Sequence, residues 1–450
     1  MINEFQNVHL LKVNGYQADN IYEALPKQLF SIISPGDTVV LKPNWVLEEH
    51  QYRKGEWEQV ITNPAIITAV LRIVVDYLEN RGHIIIADGP ELNADFDKIL
   101  SLQPLDEWRA LARQHNITLQ IIDLREELYI QNKNVTIKKL KLPGDPKGKV
   151  VTNLLEQNSE FFGHKKPEKG YFGAGSDIRE TNSAHDGHTN LYSVSRSVIE
   201  ADVFINLPKL KTHKKGGITC SLKNLVGINT YRNYLPHNSI GTPAEGGDQF
   251  PTSEAKSRVE STLMPFIHQN ILKYPFLAKF FSPVMGLGKK VFGNNQKTIR
   301  GGSWFGNDTL WRMVLDINKV LFYGDANGTL KDSVFPNMKR YISIVDSIVA
   351  GEGNGPKAPD AINVGYIMAG LNPVAVDSVC ACLMGFDPEK IPSITNAFRI
   401  ENFPLVNFSL GDIKILFQEK EYLLSSFPSS LVINFKPHPG WIGHIERLNN

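Results

Sequence analysis

The strongest constraint on the fold is a repeated alternation of short apolar strands and amphipathic helices near the start of the chain. Asp37-Thr38-Val39-Val40-Leu41-Lys42 reads as a buried strand entered through the turn Ser34-Pro35-Gly36. Asn63 and Pro64 then open a helix, Asn as the N-cap and Pro at the first helical position. That helix places Ile67, Leu71, Val74, Val75 and Leu78 on one face and stops at Arg81-Gly82. His83–Asp88 is the next strand, followed by a helix near Pro104–His115 and a strand at Leu119–Asp123. Strands separated by helices pair in parallel through right-handed crossovers. The expected class is therefore α/β, a mostly parallel doubly wound sheet with a helical and loop insertion.

Further along, Asn134–Leu142 reads as a strand with one wet face, and residues 158–190 as a long surface loop rich in Gly, Asp, Asn and His. Ser193–Glu200 is expected to be a helix that feeds the strand Asp202–Asn206. Asp308–Leu321 and Pro373–Met384 read as helices, and Tyr341–Asp346, Asn363–Ala369 and Asp412–Phe417 as strands. These assignments put the α/β core in residues 1–228 and 308–420. The insertion is residues 229–307, a loop followed by a basic, apolar stretch at 266–292. Residues 421–450 form an irregular tail packed on the core. The stretch 266–292 reads as a helix pair on the body, with a peripheral membrane or protein partner as the sharper expectation.

Composition narrows the function. The chain has 450 residues, 42% of them hydrophobic, and a net charge of +1. This describes an ordinary soluble protein with a real core and excludes a general nucleic-acid binder, whose footprint is a basic domain. The three cysteines, Cys220, Cys380 and Cys382, have no CxxC spacing and cannot supply four thiolates. No iron–sulfur cluster is expected within this chain, and a reducing compartment is implied. The N-terminus lacks a signal pattern, and no run reaches the ~20 apolar residues of a membrane span. The expected location is cytoplasmic, with no transmembrane segment.

The charge is not evenly spread. From Val203 through Ala244 there is no Asp or Glu, yet the window holds Lys209, Lys211, Lys214, Lys215, Lys223, Arg232, His213 and His237. Within it, Lys209-Leu210-Lys211-Thr212-His213-Lys214-Lys215-Gly216-Gly217 reads as a flexible lysine loop after a buried strand. Ammonium groups supply field, glycines let backbone N–H groups approach, and hydroxyls add donors, so the loop is built for an anion. A helix over Ile218–Val226 would aim its positive end at the same ligand. The Walker A order is absent.

Other candidates cluster at strand ends, where ligands collect in open parallel sheets. Lys42 and Asn44 follow the first strand, and Asp88-Gly89-Pro90 the second. Asp346 precedes the glycine-rich Gly351-Glu352-Gly353-Asn354-Gly355-Pro356. Asp377 falls one turn inside a helix capped by Asn372 and needs a partner, a lysine or a metal. His185-x-x-His188 reads as a solvated loop rather than a metal site, and Cys380 and Cys382 as small core residues.

Leu41-Lys42-Pro43-Asn44, the block from Asn206 to Thr219 with Lys223-Asn224-Leu225-Val226-Gly227, the Gly351–Pro356 loop and Asn372–Asp377 together resemble the family catalogued as domain of unknown function 362. The resemblance spreads over most of residues 35–390. Members are often linked to ferredoxin-type iron–sulfur modules, which the three cysteines here cannot build. The family name implies no chemistry.

The residues point to an enzyme acting on a phosphorylated or carboxylated small molecule. Lys209, Lys211, His213 and Lys223 are the expected catalytic groups. Lys42, Asn44, Thr212, Thr219, Asn224, Gly353 and Gly355 are the expected substrate contacts. Asp88, Asp346 and Asp377 are expected to hold a divalent metal such as Mg or to orient the lysines. The alternative is a non-catalytic binding or assembly protein that works with an iron–sulfur or other partner in trans.

Overall fold

The computed structural model describes residues 5–132, 135–164, 168–175, 177–253, 299, 301–331 and 339–447. The expected helical stretch at 266–292 and its membrane or protein partner lie outside the described residues.

The body is one large mixed sheet. Its strands run, edge to edge, Lys420–Leu423, Lys414–Phe417, Asn7–Lys12, Ala358–Gly370, Arg340–Asn354, Val203–Leu207, Thr38–Pro43, His83–Asp88 and Thr118–Asp123. The last five of these are parallel neighbours, as the strand–helix alternation requires. The other half is largely antiparallel, because Arg340–Asn354 and Ala358–Gly370 form one long hairpin and Asn7–Lys12 pairs against it. On that side, among the described residues, only Asn7–Lys12 and Lys414–Phe417 pair in parallel, so most of the parallel character lies in the five-strand half.

Both faces are covered. Val39, Leu41, Ile84, Ile86, Ile205 and Ile342 point to one side, where the helix Pro64–Leu78 packs. Val40, Ile85, Phe204 and Tyr341 point to the other, under the helices Leu310–Tyr323 and Pro373–Leu383. The alternation has period two but is apolar on both sides, which marks strands buried on two faces. Each such side chain contributes roughly 1.5–3 kcal/mol on burial. Asn63 caps its helix as expected, its side-chain oxygen accepting from Ala65 N at 3.0 Å.

Several local expectations are corrected. Residues 158–190 are not all loop, since they include the strand Tyr171–Gly173 and the helix Ile178–Ala184. Ser193–Glu200 divides into the end of the strand Leu191–Ser195 and the short helix Arg196–Glu200, because β-branched and aromatic Tyr192 and Val194 pair with residues 149–153. The lysine loop is a β-arm. Lys209–His213 runs parallel to the 340–354 strand and turns back into Gly217–Thr219. Pro236–Ser239 forms a strand against Tyr171–Gly173, and the tail buries Phe435, Trp441 and Ile445, with Trp441 Nε1 donating to the Lys214 carbonyl at 2.9 Å. No helix among the described residues is long and apolar enough to cross a membrane.

The strand order fixes where a ligand can sit. From Thr38–Pro43 the chain moves outward to His83–Asp88 and Thr118–Asp123, then returns to Val203–Leu207 on the opposite side of Thr38–Pro43. That reversal opens a crevice at the carboxyl ends of these strands.

Candidate functional site

A cleft with a cavity volume of about 80 Å³ opens at this crevice. One wall is Lys42, Asn44, Val46, Asp88, Gly89, Glu91 and Leu92, from the turns after two parallel strands. The other is Ala174, Lys223, Asn224, Val226, Gly227, Arg232 and His237. A single water needs about 10–15 Å³ on the same scale, so the space suits a group of only a few atoms.

Lys42 is a built part of the wall. Its Nζ donates to Asp88 Oδ1 at 2.7 Å, the Pro43 carbonyl at 2.8 Å and Asn224 Oδ1 at 3.0 Å. All three of its hydrogens are committed. The pair is sealed by Gly227, where an added Cβ would lie 2.1 Å from Asp88 Oδ1 and 2.6 Å from Lys42 Nζ.

Asn224 extends the network. Its Oδ1 also accepts from Asn44 Nδ2 at 2.7 Å, and Asn44 Oδ1 accepts from Lys211 Nζ at 2.7 Å. Lys211 donates further to the Val60 carbonyl at 2.6 Å and pairs with no carboxylate among the described residues. Burial, and then the neighbouring Lys209 and Lys223 charges, hold it well below the ordinary lysine range. Asn44 and Asn224 therefore hold lysines by their amide oxygens, while their amide nitrogens donate to the Asn224 and Asn206 oxygens, although both also line the cleft.

The remaining candidates separate from the cleft. Lys209 is fully buried against Asp346 at 2.7 Å and Tyr16 Oη at 2.9 Å, a sealed ion pair rather than an exposed catalytic amine. Thr212 Oγ1 donates to the Gly353 carbonyl, and an added Cβ at Gly355 would lie 1.9 Å from the Thr212 carbonyl oxygen. The two glycines let the hairpin close over the arm, not over a ligand. Thr219 Oγ1 is buried with no partner among the described residues, and Thr219 is not in the cleft lining. His213 is buried and is not in the cleft lining, its Nδ1 accepting from Lys215 N and Gly216 N.

The three carboxylates do not form a metal site. Asp88 accepts from Lys42 and Gly89 N on one oxygen and Trp45 N on the other. Asp346 accepts from Tyr16 on one and from Lys209 and Asn63 N on the other. Asp377 accepts from Ser221 N and Leu222 N at 2.7 and 3.0 Å. All six oxygens are taken by donors of the chain itself, and no three His, Cys, Asp or Glu are grouped for an ion among the described residues. The donor set does not fit magnesium. Asp377 also occupies the end of the helical segment expected to face an anion, which is only Ser221–Asn224. Burial pushes its carboxyl up to about 6. The thiols of Cys220, Cys380 and Cys382 are all buried.

What the cleft does expose is Lys223. It is half-buried and has no hydrogen-bond or ion-pair partner among the described residues. Burial pushes its ammonium down to about 8, with Arg232 and Lys42 adding repulsion against the pull of Glu91. Arg232 spends three N–H bonds on the carbonyls of Val226, Gly89 and Pro90. Burial works to raise Glu91, but Lys357 at 3.2 Å, together with Arg232, brings it down to about 2. Burial and then Lys223 and Lys215 hold His237 well below the ordinary histidine range. Glu91, Arg232, His237 and Gly227 escaped the list of candidate residues. Glu91 had a signal, three residues past the strand-end Asp88, and Arg232 and His237 lay inside the acid-free window.

Residues 172–382 match the family model described as Domain of unknown function (DUF362). The match spans just under half of the chain. Lys223, Asn224, Arg232 and His237 lie within the DUF362 stretch, whereas Lys42, Asp88 and Glu91 precede it. A comparison with curated proteins gives no match. Among solved structures, a protein from Thermotoga maritima is similar at 11% identity and a TM-score of 0.36, covering 83% of this chain and 60% of that one. The lactate racemase apoprotein from Thermoanaerobacterium thermosaccharolyticum is similar at 11% identity and a TM-score of 0.33, covering 84% of this chain and 56% of that one. The chain thus spans less than two thirds of the length of either.

Proposed function

We propose that this protein is an enzyme that holds the anionic group of a phosphorylated or carboxylated small molecule in the cleft at the strand ends. The carrying observation is Lys223, a cation facing the cleft whose donors no group among the described residues uses. Lys42 and Arg232 add field from positions fixed by their own hydrogen bonds. Partial burial and the Arg232 and Lys42 charges outweigh the pull of Glu91 on Lys223, and an incoming anion relieves that imbalance. Preorganised charge of this kind stabilises negative charge that develops on a reacting group. Asp88, Asp346 and Asp377 already accept from donors of the chain itself and leave no oxygen for a metal.

The test is thermal stability of the whole protein at low ionic strength, with inorganic phosphate, sulfate and malonate. A ligand at 100 times its Kd stabilises by about 2.7 kcal/mol. Stabilisation by at least one anion is expected, and Lys223→Met should abolish it. No stabilisation by any anion, or equal stabilisation of Lys223→Met, would overturn the reading.

A further inference from the structure

We propose that His237 selects the ligand as a protonated oxyanion: a phosphate or phosphomonoester donates its P–OH hydrogen to His237 Nε2 while Lys223 and Arg232 take its negative charge. The inference deepens the anion-binding reading and rests on it.

The argument begins with a tautomer. His237 Nδ1 lies 3.0 Å from the carbonyl oxygen of Leu235. A carbonyl oxygen only accepts, so Nδ1 carries the hydrogen and Nε2 of the neutral ring has a bare lone pair. The ring lines the cleft, and Nε2 has no hydrogen-bond partner among the described residues. Its backbone is held on both sides: the His237 carbonyl accepts from Asn307 Nδ2 at 3.1 Å, and Asn238 pairs with Phe172. The neutral form is kept by burial and by Lys223 and Lys215, with only the Leu235 carbonyl and Glu91 opposing.

The donors around this lone pair are of one kind. Lys223 brings its N–H groups, and Arg232 keeps Nε–H and one terminal N–H after its three carbonyl contacts. Lys42 brings none, since its three are committed. An oxyanion placed among these donors presents one oxygen to His237. If that oxygen bears hydrogen, a bond forms; if not, two lone pairs face each other and the contact is lost. A site built to accept a hydrogen rejects the analogue that lacks one. His213 shows the opposite tautomer, with Nδ1 accepting two backbone N–H groups, so it cannot supply this acceptor. Of the other side-chain acceptors in the lining, Asp88, Asn44 and Asn224 already accept from the chain's own donors, and the Glu91 carboxylate is tied to Lys357 at 3.2 Å.

Inorganic phosphate and sulfate are the matched probes, since near neutral pH phosphate carries at least one P–OH and sulfate carries none. Isothermal titration of the full chain at low salt should show phosphate binding at least tenfold more tightly than sulfate. In His237→Phe the preference should collapse to within about twofold while sulfate binding survives. His237→Gln, which keeps the volume and a carbonyl acceptor, should retain part of the preference. Long-range ¹⁵N–¹H NMR on the unmutated protein should show His237 with hydrogen on Nδ1, and its Nε2 resonance should move on phosphate addition but not on sulfate addition. Equal affinities for the two ions, hydrogen on Nε2, or a preference lost in Glu91→Gln but kept in His237→Phe would each overturn the assignment and leave anion binding intact. Absence of binding by both ions would overturn the assignment, and absence of malonate binding as well would overturn the anion reading with it.

Discussion

Lys42 and Asp88 make a sharp test of how the cleft wall is held. Both side chains are at most 3% exposed and their charged atoms are 2.7 Å apart. At an effective dielectric of about 20, Coulomb attraction at that separation is ~6 kcal/mol. Desolvation costs several kcal/mol per ion, so the net worth of the pair is small. Its one-sided loss is not. Asp88→Asn leaves Lys42 buried with only the Pro43 carbonyl and Asn224 as partners, and should cost about 3–5 kcal/mol. Lys42→Met leaves Asp88 with the N–H groups of Trp45 and Gly89 and no counter-charge, a cost of the same order. The double variant removes both charges and should cost about 2 kcal/mol or more less than the sum of the two. The assay is urea unfolding followed by tryptophan fluorescence, comparing midpoints at unchanged slope. Additive losses, or single losses below about 1 kcal/mol, would refute the view of the pair as a mutually dependent buried unit.

Gly227→Ala should destabilise the wall by a comparable amount and abolish phosphate binding, because the new methyl would occupy the space of the Lys42–Asp88 contact; unchanged thermal stability would contradict the packing. Sulfate affinity should follow the charge on Lys223, which faces Arg232, Lys42 and Glu91 and lies near His213, His237 and Lys215. The charged form binds, so affinity should decline gently from about 7, where Lys215 sheds its charge, and then about tenfold per pH unit above about 8. A titration series across that range checks it, and an affinity unchanged above about 8 would contradict it. Cys220, Cys380 and Cys382 are buried, and burial pushes each thiol up, so none should react quickly with a thiol reagent until denaturant is added.

Much of the parallel half of the sheet was legible because strands buried on two faces cannot hide. Val39-Val40-Leu41 and Ile84-Ile85-Ile86 announce themselves, and the helix between them carries its own cap. The arm was not legible. Lys209-Leu210-Lys211-Thr212-His213 has a loop's composition and a strand's burial, because each polar end finds a distant partner such as Asp346, Asn44 or Gly353. Those partners lie far away in sequence, and spacing says nothing about who meets whom. The same gap produced the metal expectation: a carboxylate at a strand end looks available until its lysine and backbone donors are known. Lys42, Asn44, Asp88, Lys223 and Asn224 were placed by the rule of strand ends or by the acid-free window, and these five do meet at the cleft.

The central strand Val203–Leu207 lies between Thr38–Pro43 and Arg340–Asn354. A piece cut to the matched stretch 172–382 would keep one flank and lose the other. It would carry a raw ladder of unanswered amides and carbonyls along a hydrophobic blade, the kind of rim that recruits other chains. It would also lose Lys42, Asp88 and Glu91, leaving half a bowl. For anyone expressing this protein in parts, the leader of roughly 170 residues is scaffold and wall together, and the boundaries of the recognisable domain are the wrong place to cut.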